Sequence, residues 1–291
     1  MQVTEDEAKK IGKKSIIVYT SPHHTLQEKW IDKEYEKIPL LMTVAYKRII
    51  MLSRKRNERR DEETNLADVI CVNSNLVAQS LLDAGFSKDK MIVIPLGAPP
   101  AIQDDLLPKK LLTPLRFIYA GPVSVRKGAH YLLKAWKLLG KTQAELHFYG
   151  RPLLPKSFLV DCGRNIIFHN SVSQKELFDA YQKAVALIFP TLCDGFGMVV
   201  TEAMSRGLPV ITTPNCGVSE SIKHGNNGFF VSPGNSEVLA DRIKWCIQNS
   251  HQLLNMRQNA LDTARRWTWV DFRAALREQL SEKLNLNLKQ I

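Results

Sequence analysis

The sequence predicts an α/β protein made of two parallel-sheet domains. Short apolar runs typical of strands alternate with segments of helical periodicity along most of the chain, which indicates repeated parallel β-α units. The length of 291 residues favours roughly two domains of ordinary size. A proline-rich interval, 97–114, separates two series of strands and is interpreted as an interdomain linker.

The first series predicts a partial Rossmann-like domain over residues 1–108. It supplies about half of the strands of a complete doubly wound sheet. The predicted strands are Ser15–Thr20, Val69–Asn73 and Met91–Leu96. The predicted helices are Leu26–Ile38, Leu41–Leu66 and Leu76–Gly85. A sheet that lacks its opening units exposes an edge strand, and the unpaired backbone groups of such an edge favour self-association.

The second series predicts a complete Rossmann-like domain over residues 109–270. Each apolar run is followed by a helical pattern, as in a doubly wound sheet. The predicted strands are Arg116–Ala120, Glu145–Tyr149, Ile166–His169, Val185–Phe189, Pro209–Thr212 and Phe229–Val231. The predicted helices are Gly128–Leu139, Gln174–Lys183, Phe196–Arg206, Ser236–Asn249 and Leu253–Trp267. Residues 271–291 are expected to form a terminal helix that packs on the first domain.

The composition indicates a globular protein of a reducing compartment. Hydrophobic residues make up 44% of the chain and charged residues 24%, which is ordinary for a folded domain. No apolar run approaches the roughly 20 residues needed to span a bilayer, and the polar start has no signal-peptide core. The five cysteines are scattered without a C-x-x-C pair, which argues against a cysteine zinc site or a disulfide framework. We therefore expect a cytoplasmic protein.

The net charge of +11 suits a phosphorylated substrate, an anionic membrane surface or nucleic acid. Basic residues concentrate in segment 47–60, where they are interleaved with apolar residues as in a basic amphipathic helix. Two interpretations stay open for this segment: a solvated helix face, and a peripheral contact with the inner face of a membrane. Nucleic-acid binding is not expected, because no zinc-finger or RNP pattern accompanies the charge.

The segment from Asp194 to Glu202 carries the most information about function. It follows an apolar run and precedes apolar residues at helical spacing, so its two acids flank a strand-to-helix turn. Turns at the carboxyl edge of a parallel sheet bind ligands in open α/β folds, because helix amino termini present unpaired N–H groups there. The two carboxylates could hold one polyol ligand at two points. Alternatively, Asp194 only caps the turn and Glu202 faces solvent.

A second loop follows the strand predicted to end at Ala120. Gly121 lets the backbone approach a ligand closely. Arg126 offers a forked set of donors and Lys127 a point charge, and both suit the oxygens of a diphosphate. The alternative is a basic pair on the protein surface. A preceding strand and the acidic segment downstream favour the phosphate-binding interpretation.

The acidic segment resembles the motif of the retaining glycosyltransferases of family GT4, in which two glutamates enclose seven residues that include a phenylalanine-glycine pair. Asp194 stands here for the first glutamate and is shorter by one carbon–carbon bond, roughly 1.5 Å. The resemblance implies the GT-B fold. It also implies that Asp194, with the backbone of Phe196 and Gly197, positions the donor sugar, while Glu202 holds the ribose. Where the family has a basic residue after its first glycine, this chain has Pro122, and Arg126 is expected to replace that contact.

The resemblance extends to three further strand ends. Gly217 and Val218 belong to a loop that lies beside the donor in the family, and their amides are expected to face an anion. Arg151 either faces the base or phosphate or lies on the surface. His23, with His24 as the second choice, is expected near the donor sugar. The alternative for the two histidines is a helix-capping cluster without a function.

These expectations converge on a retaining, metal-independent, hexosyltransferase-like enzyme. It would move a sugar from a UDP-sugar or GDP-sugar to an unknown acceptor, without a cofactor. No metal is expected, since the sequence has no aspartate-x-aspartate pair. The residues expected to act in catalysis are Arg126, Lys127, Asp194 and His23. The alternative is an inactive or partner-dependent fragment that binds a nucleotide sugar without transfer, because the opening β-α units and their glycine-rich loop are missing from the first half.

Overall fold

The computed structural model describes residues 10–160, 163 and 165–285, with the side chains of residues 44–51 outside the description. Contacts divide the chain into two units. The first contains the described residues before Gly97 and those from Val270 onward, and the second is Gly97–Trp269.

The first unit has a three-stranded parallel sheet in the order β1-β2-β3. The strands are β1 (Ile16–Tyr19), β2 (Val69–Val72) and β3 (Met91–Val93). The helices between them are α1 (His24–Lys37), α2 (Val44–Leu66) and α3 (Asn75–Asp83). All three predicted strands are therefore present in one sheet.

Both faces of β2, but only one face of β1, are buried in the first unit. Tyr19 of β1 is buried together with residues of β2 and α3, whereas Ile16 and Val18 of β1 are exposed. Alternate residues of a strand point to opposite faces, so this pattern leaves the other face of β1 uncovered in the described part of the unit. β2 is the central strand, and it is buried along its whole length, so the side chains on both of its faces are covered.

The second unit has a six-stranded sheet, all parallel, in the order β6-β5-β4-β7-β8-β9. The strands are β4 (Arg116–Ala120), β5 (Glu145–Tyr149), β6 (Ile166–Phe168), β7 (Ala186–Phe189), β8 (Val210–Thr212) and β9 (Gly228–Phe230). The chain moves outward from β4 to β6, then returns to the other side of β4 and continues to β9. The strand order therefore reverses between β4 and β7, and ligands of doubly wound sheets bind outside the carboxyl ends of strands at such a point.

Helices connect and follow the strands of the second unit. They are α4 (Ala129–Leu138), α5 (Gln174–Lys183), α6 (Met198–Met204), α7 (Ser236–Gln248) and α8 (Ser250–Arg265). α5 begins as its sequence predicts, because Ser173 and Glu176 form a reciprocal capping box. α6 begins two residues later than predicted. Gly197, with a φ of +91°, interrupts helical geometry directly before Met198.

The proline-rich segment differs from the predicted linker. Residues 97–108 belong with the second unit, so the division of the chain lies at 96/97 rather than at 108/109. The N–H of Ala98 donates to the carbonyl of Trp267 at 2.9 Å, and that of Ile102 donates to the carbonyl of Ser205 at 3.0 Å. These bonds satisfy backbone groups that a free linker would leave to water, and they hold the segment against the unit.

α9 (Trp269–Leu284) is the terminal helix, and its residues from Val270 group with the first unit. In the part of the chain that the structure covers, no helix combines the length and the apolar character needed to cross a bilayer. The basic segment 47–60 lies within α2. Its described basic residues are largely exposed: Arg54, Lys55, Arg56 and Arg59. Lys47 and Arg48 belong to the stretch whose side chains lie outside the description.

Candidate functional site

The candidate site lies at the carboxyl ends of β4, β7 and β8, beside the point where the strand order reverses. The loop after β4 carries Gly121, Arg126 and Lys127, and the loop after β7 carries Asp194. These loops are joined by backbone bonds: the N–H of Leu192 donates to the carbonyl of Arg126 at 2.9 Å. Residues that are about 70 positions apart in sequence are thus held at one edge of the sheet.

Lys127 and Asp194 form an ion pair at the centre of this edge. The ammonium Nζ of Lys127 contacts Oδ2 of Asp194 and lies 5.1 Å from the centroid of the Phe189 ring. Lys127 is only 9% exposed, and the side chain of Asp194 is 13% exposed. The sequence analysis expected Lys127 to bind the diphosphate and Asp194 to position the donor sugar. Their direct contact is a new feature, since nothing in the sequence indicates a distance between them.

The charge state of Lys127 depends on this contact. Burial, and after it the neighbouring Arg126 charge, lowers the pKa of Lys127 to about 7. The Asp194 carboxylate acts in the opposite direction, because an adjacent negative charge favours the ammonium form. With a pKa of about 7, Lys127 is only partly charged at neutral pH, and neutralising Asp194 would lower this pKa and the charge further.

Arg126 is half-buried and connects the loops after β4 and β7 through hydrogen bonds. Its Nη1 donates to the carbonyl of Cys193 at 3.1 Å, and its own carbonyl accepts from the hydroxyl of Thr191 at 3.2 Å. A guanidinium has five N–H donors, so one bond to Cys193 leaves donor capacity for an anion. Arg126 thus has a structural contact as well as the position that the sequence predicted.

The turn between β7 and α6 is built around Asp194 and Gly197. Oδ1 of Asp194 accepts the N–H of Phe196 at 3.1 Å, so the aspartate does cap the turn, as the alternative interpretation expected. A Cβ at Gly197 would lie 3.3 Å from both the Phe189 ring and the Val218 side chain. Only a residue without a side chain fits this space and this φ comfortably. The turn is therefore close-packed, and Phe196 is buried within it.

Glu202 lies one turn into α6 and is half-buried. Burial raises the pKa of its carboxyl group. Its charge, second to burial, raises the pKa of Tyr181 on α5, whose buried hydroxyl has no hydrogen-bond partner among the described residues. The structure thus puts Tyr181 in the electrostatic environment of Glu202, a neighbour that the sequence did not indicate.

The remaining predicted residues of the second unit differ in whether a ligand could reach them. Gly121 has open space where a Cβ would project, which suits close approach of a ligand. Gly217 and Val218 are buried at the start of a short 3₁₀ turn, but the N–H of Val218 donates to the carbonyl of Phe196 at 2.8 Å. That amide is engaged within the protein and does not face an anion. Arg151 is exposed beside the site, after β5.

His23 lies in the first unit, at the start of α1. It is 3% exposed. Its Nδ1 is 2.8 Å from the hydroxyl of Thr25 and its Nε2 is 3.0 Å from Oδ1 of Asp61. Burial lowers the pKa of His23, against the opposing effect of its bond to Asp61. Both ring nitrogens thus have partners inside this unit, and a contact with a sugar would require one of them to be exchanged.

The sequence profile of the family described as glycosyl transferases group 1 matches residues 106–265, which is more than half of the chain. Among curated relatives, sucrose-phosphate synthase 4 of Arabidopsis thaliana is 32% identical over 102 residues, covering 34% of this chain and 10% of its own. A D-inositol 3-phosphate glycosyltransferase of Corynebacterium efficiens is 24% identical and covers 87% of this chain and 66% of its own. The matched stretches span between 10% and 52% of the first four relatives.

Solved structures agree on the fold. HepE of Anabaena, crystallised with UDP and glucose, superposes with a TM-score of 0.72 at 19% identity and covers 95% of this chain and 74% of its own. A likeness at this identity supports the fold alone, and it confirms the prediction of two parallel-sheet units of GT-B type. Together with the profile match over most of the second unit, it leads to one assignment: the chain belongs to the glycosyl transferases group 1 family.

Proposed function

We propose that the second unit binds a nucleoside-diphosphate sugar, UDP-sugar or GDP-sugar, and that the protein transfers this sugar to an acceptor with retention of configuration. The observation that carries the proposal is the nearly buried Lys127–Asp194 pair, with Arg126 beside it, at the reversal of the strand order. A buried charge is costly unless it is paired, so its retention at a ligand-binding edge favours a role toward a charged ligand.

The geometry suggests an exchange of partners when the donor binds. The diphosphate brings negative charge to Lys127 and can take the place of Asp194 as its counter-ion. Asp194 is then free to accept hydrogen bonds from sugar hydroxyls, next to the backbone of Phe196 and Gly197. Glu202 would accept from the ribose. In the transfer step, Lys127 and Arg126 would stabilise the charge that develops on the leaving diphosphate, without a metal ion.

The relatives support the donor class. HepE of Anabaena was crystallised with UDP and glucose, and the family is named for glycosyl transfer. Acceptor, linkage and hexosyl specificity belong to the proposal and not to these likenesses. Residues 109–270 would form the donor domain, extended by the strap 97–108. The rest of the first predicted domain, before residue 97, with 271–291, would supply the acceptor side.

Calorimetry with UDP tests the donor site. We expect Lys127→Ala to weaken UDP binding about 10- to 100-fold, because a charge-assisted bond to phosphate contributes about 1.5–3 kcal/mol. Lys134→Ala is the matched control, since Lys134 is an exposed lysine paired with Glu237 at 3.0 Å. Equal UDP affinity in wild type and Lys127→Ala would contradict the proposal. A requirement of transfer for added Mg²⁺ or Mn²⁺ would contradict its metal-independent part.

A second candidate function is donor binding without transfer. The observation that favours it is the three-stranded sheet of the first unit, half of the size of the second. A donor-hydrolysis assay alongside the calorimetry separates the two functions. Tight UDP binding with no release of free sugar or transfer to any supplied acceptor would favour the binding-only function.

Two associations extend the proposal. The exposed basic residues of α2 and Leu52, which is 64% exposed, suit a peripheral contact at the cytoplasmic, inner face of a membrane. Co-sedimentation with anionic but not neutral vesicles would support this contact. Exposed Ile16 and Val18 on the edge strand β1 suit self-association through the first sheet. A monomer at all concentrations in sedimentation velocity would contradict it.

A further inference from the structure

A cluster of two imidazoles and one carboxylate lies in the first unit. His23 and His24 are adjacent at the start of α1, and Asp61 projects from α2. Nε2 of His23 is 3.0 Å from Oδ1 of Asp61, and Nε2 of His24 is 2.9 Å from Oδ2. One ligand atom from each of the three residues can be chosen so that all lie within 4.8 Å of one another. Three side chains of the types that bind transition metals thus converge on one point.

We propose that His23, His24 and Asp61 form a binding site for Zn²⁺. In a tetrahedral zinc site with bonds of about 2.0–2.1 Å, neighbouring ligand atoms are about 3.3 Å apart. The two observed nitrogen–oxygen separations involve different oxygens of Asp61 and are a few tenths of an ångström shorter than this. The three ligand atoms together lie within 4.8 Å of one another, so side-chain rotations would adjust the cluster to the spacing of a zinc site. Two imidazole nitrogens and a carboxylate oxygen are a ligand set that zinc uses with one open position.

The surroundings of the cluster match the outer shell of such a site. A histidine that binds a metal through Nε2 carries its proton on Nδ1 and donates it to a nearby acceptor. The hydroxyl of Thr25 lies 2.8 Å from Nδ1 of His23 and is such a partner. Nδ1 of His24 has no hydrogen-bond partner among the described residues, and the carboxylate of Glu28 lies 3.8 Å from it. With a proton on Nδ1, His23 can no longer accept the hydrogen bond from the Thr25 N–H, which is 3.4 Å long.

The exposure of the three side chains and the charges around them also suit a bound zinc ion. The side chain of His23 is 3% exposed, whereas those of His24 and Asp61 are 25% and 31% exposed. The cluster therefore has one buried anchor and an open side where solvent supplies the fourth ligand. Asp61 and Glu28 carry two negative charges, and Arg60, whose guanidinium lies over the Tyr19 ring at 3.9 Å, carries one opposing positive charge. Bound zinc would fix the start of α1 to α2.

Zinc titration of the whole chain, in competition with a chromophoric chelator, tests the site. We expect one high-affinity Zn²⁺ per chain, and a loss of affinity of at least about 10-fold in His24→Gln and in Asp61→Asn. His24 is the partly exposed ligand, so its replacement spares the buried anchor. His251→Gln, an exposed histidine on α8, is the control and should bind as wild type does. Zinc should also raise the unfolding temperature of wild type and of the control, but not of the two variants.

A second control addresses the other histidine pair, His147 and His169 of the second unit, whose rings are stacked with Nδ1 and Nε2 at 2.9 Å. His169→Gln should keep the high-affinity zinc. Loss of zinc in His169→Gln, or unchanged affinity in both His24→Gln and Asp61→Asn, would overturn the proposal. Absence of stoichiometric zinc binding by the wild-type chain would overturn it as well.

Discussion

The two units arrange their buried polar groups in opposite ways. In the second unit, Lys127 and Asp194 come from loops after different strands and meet at an edge where a ligand can reach them. In the first unit, His23 and His24 both face Asp61 and connect two helices. The difference teaches that buried charge alone does not identify a substrate site. Its location at the reversal of the strand order is what distinguishes the pair in the second unit.

The largest effect is expected from a glycine in the second unit. A Cβ at Gly128, whose φ is +69°, would overlap the carbonyl oxygen of Pro190, in the next loop of the site. Gly140 has nearly the same φ, +67°, with open space around it. We expect Gly128→Ala to lower the free energy of unfolding by about 3 kcal/mol, against about 1 kcal/mol for Gly140→Ala. Denaturant titration measures both, and equal losses would show that the two loops are not tightly packed together.

A smaller effect, dependent on pH, is expected from Asp194→Asn. Without the carboxylate, the pKa of Lys127 should fall below its value of about 7 in the intact protein, so the variant loses the ammonium charge at a lower pH than wild type does. We expect UDP affinity of the variant to fall about tenfold between pH 6 and pH 8 relative to wild type. Asp262→Asn, an exposed acid paired with Arg265, should behave as wild type does. A parallel pH profile in wild type and Asp194→Asn would break the proposed link between the two residues.

The smallest effect is expected in the first unit. The hydroxyl of Thr64 donates to the carbonyl of Arg60 at 2.6 Å, so it accepts from the buried Tyr19 hydroxyl at 2.7 Å. Thr64→Val leaves the tyrosine hydroxyl without this partner and should lower the free energy of unfolding by about 1–2 kcal/mol. The double change Tyr19→Phe with Thr64→Val should recover part of the loss. Calorimetry should give unchanged UDP affinity, and a weaker affinity would mean that the two units do not act separately in donor binding.

The strands and helices were largely predictable because their signals are local. β4, β5 and α5 have the predicted bounds, since each is a run of one periodicity between clear breaks. The start of α6 was predicted two residues early, because apolar spacing does not report the positive φ of Gly197. The strap 97–108 was interpreted as a linker from its prolines. The segment forms hydrogen bonds with residues about 100 positions later, such as Ser205, and nothing in the neighbouring sequence predicts these bonds.

The candidate site was predictable residue by residue but not as a set of contacts. The glycines, the basic pair and Asp194 stand in loops that follow strands, and Glu202 stands on the helix after such a loop, as the alternation of the chain predicts. The pairing of Lys127 with Asp194, and that of His23 with Asp61, depends on how loops and helices fold together. Spacing along the chain contains no information about such contacts. The engagement of the Val218 amide by Phe196 belongs to the same class.

The segment 97–108 contacts the chain just after α8, so the two ends of the second unit lie side by side. Ala98 pairs with Thr268 in a parallel bridge, and the Cβ position of Gly97 touches the backbone of Trp269. The first and last residues of the second unit are therefore neighbours, and the unit is inserted in the sequence between the two parts of the first unit. A segment whose termini adjoin can be excised, circularly permuted or grafted into another host with little distortion.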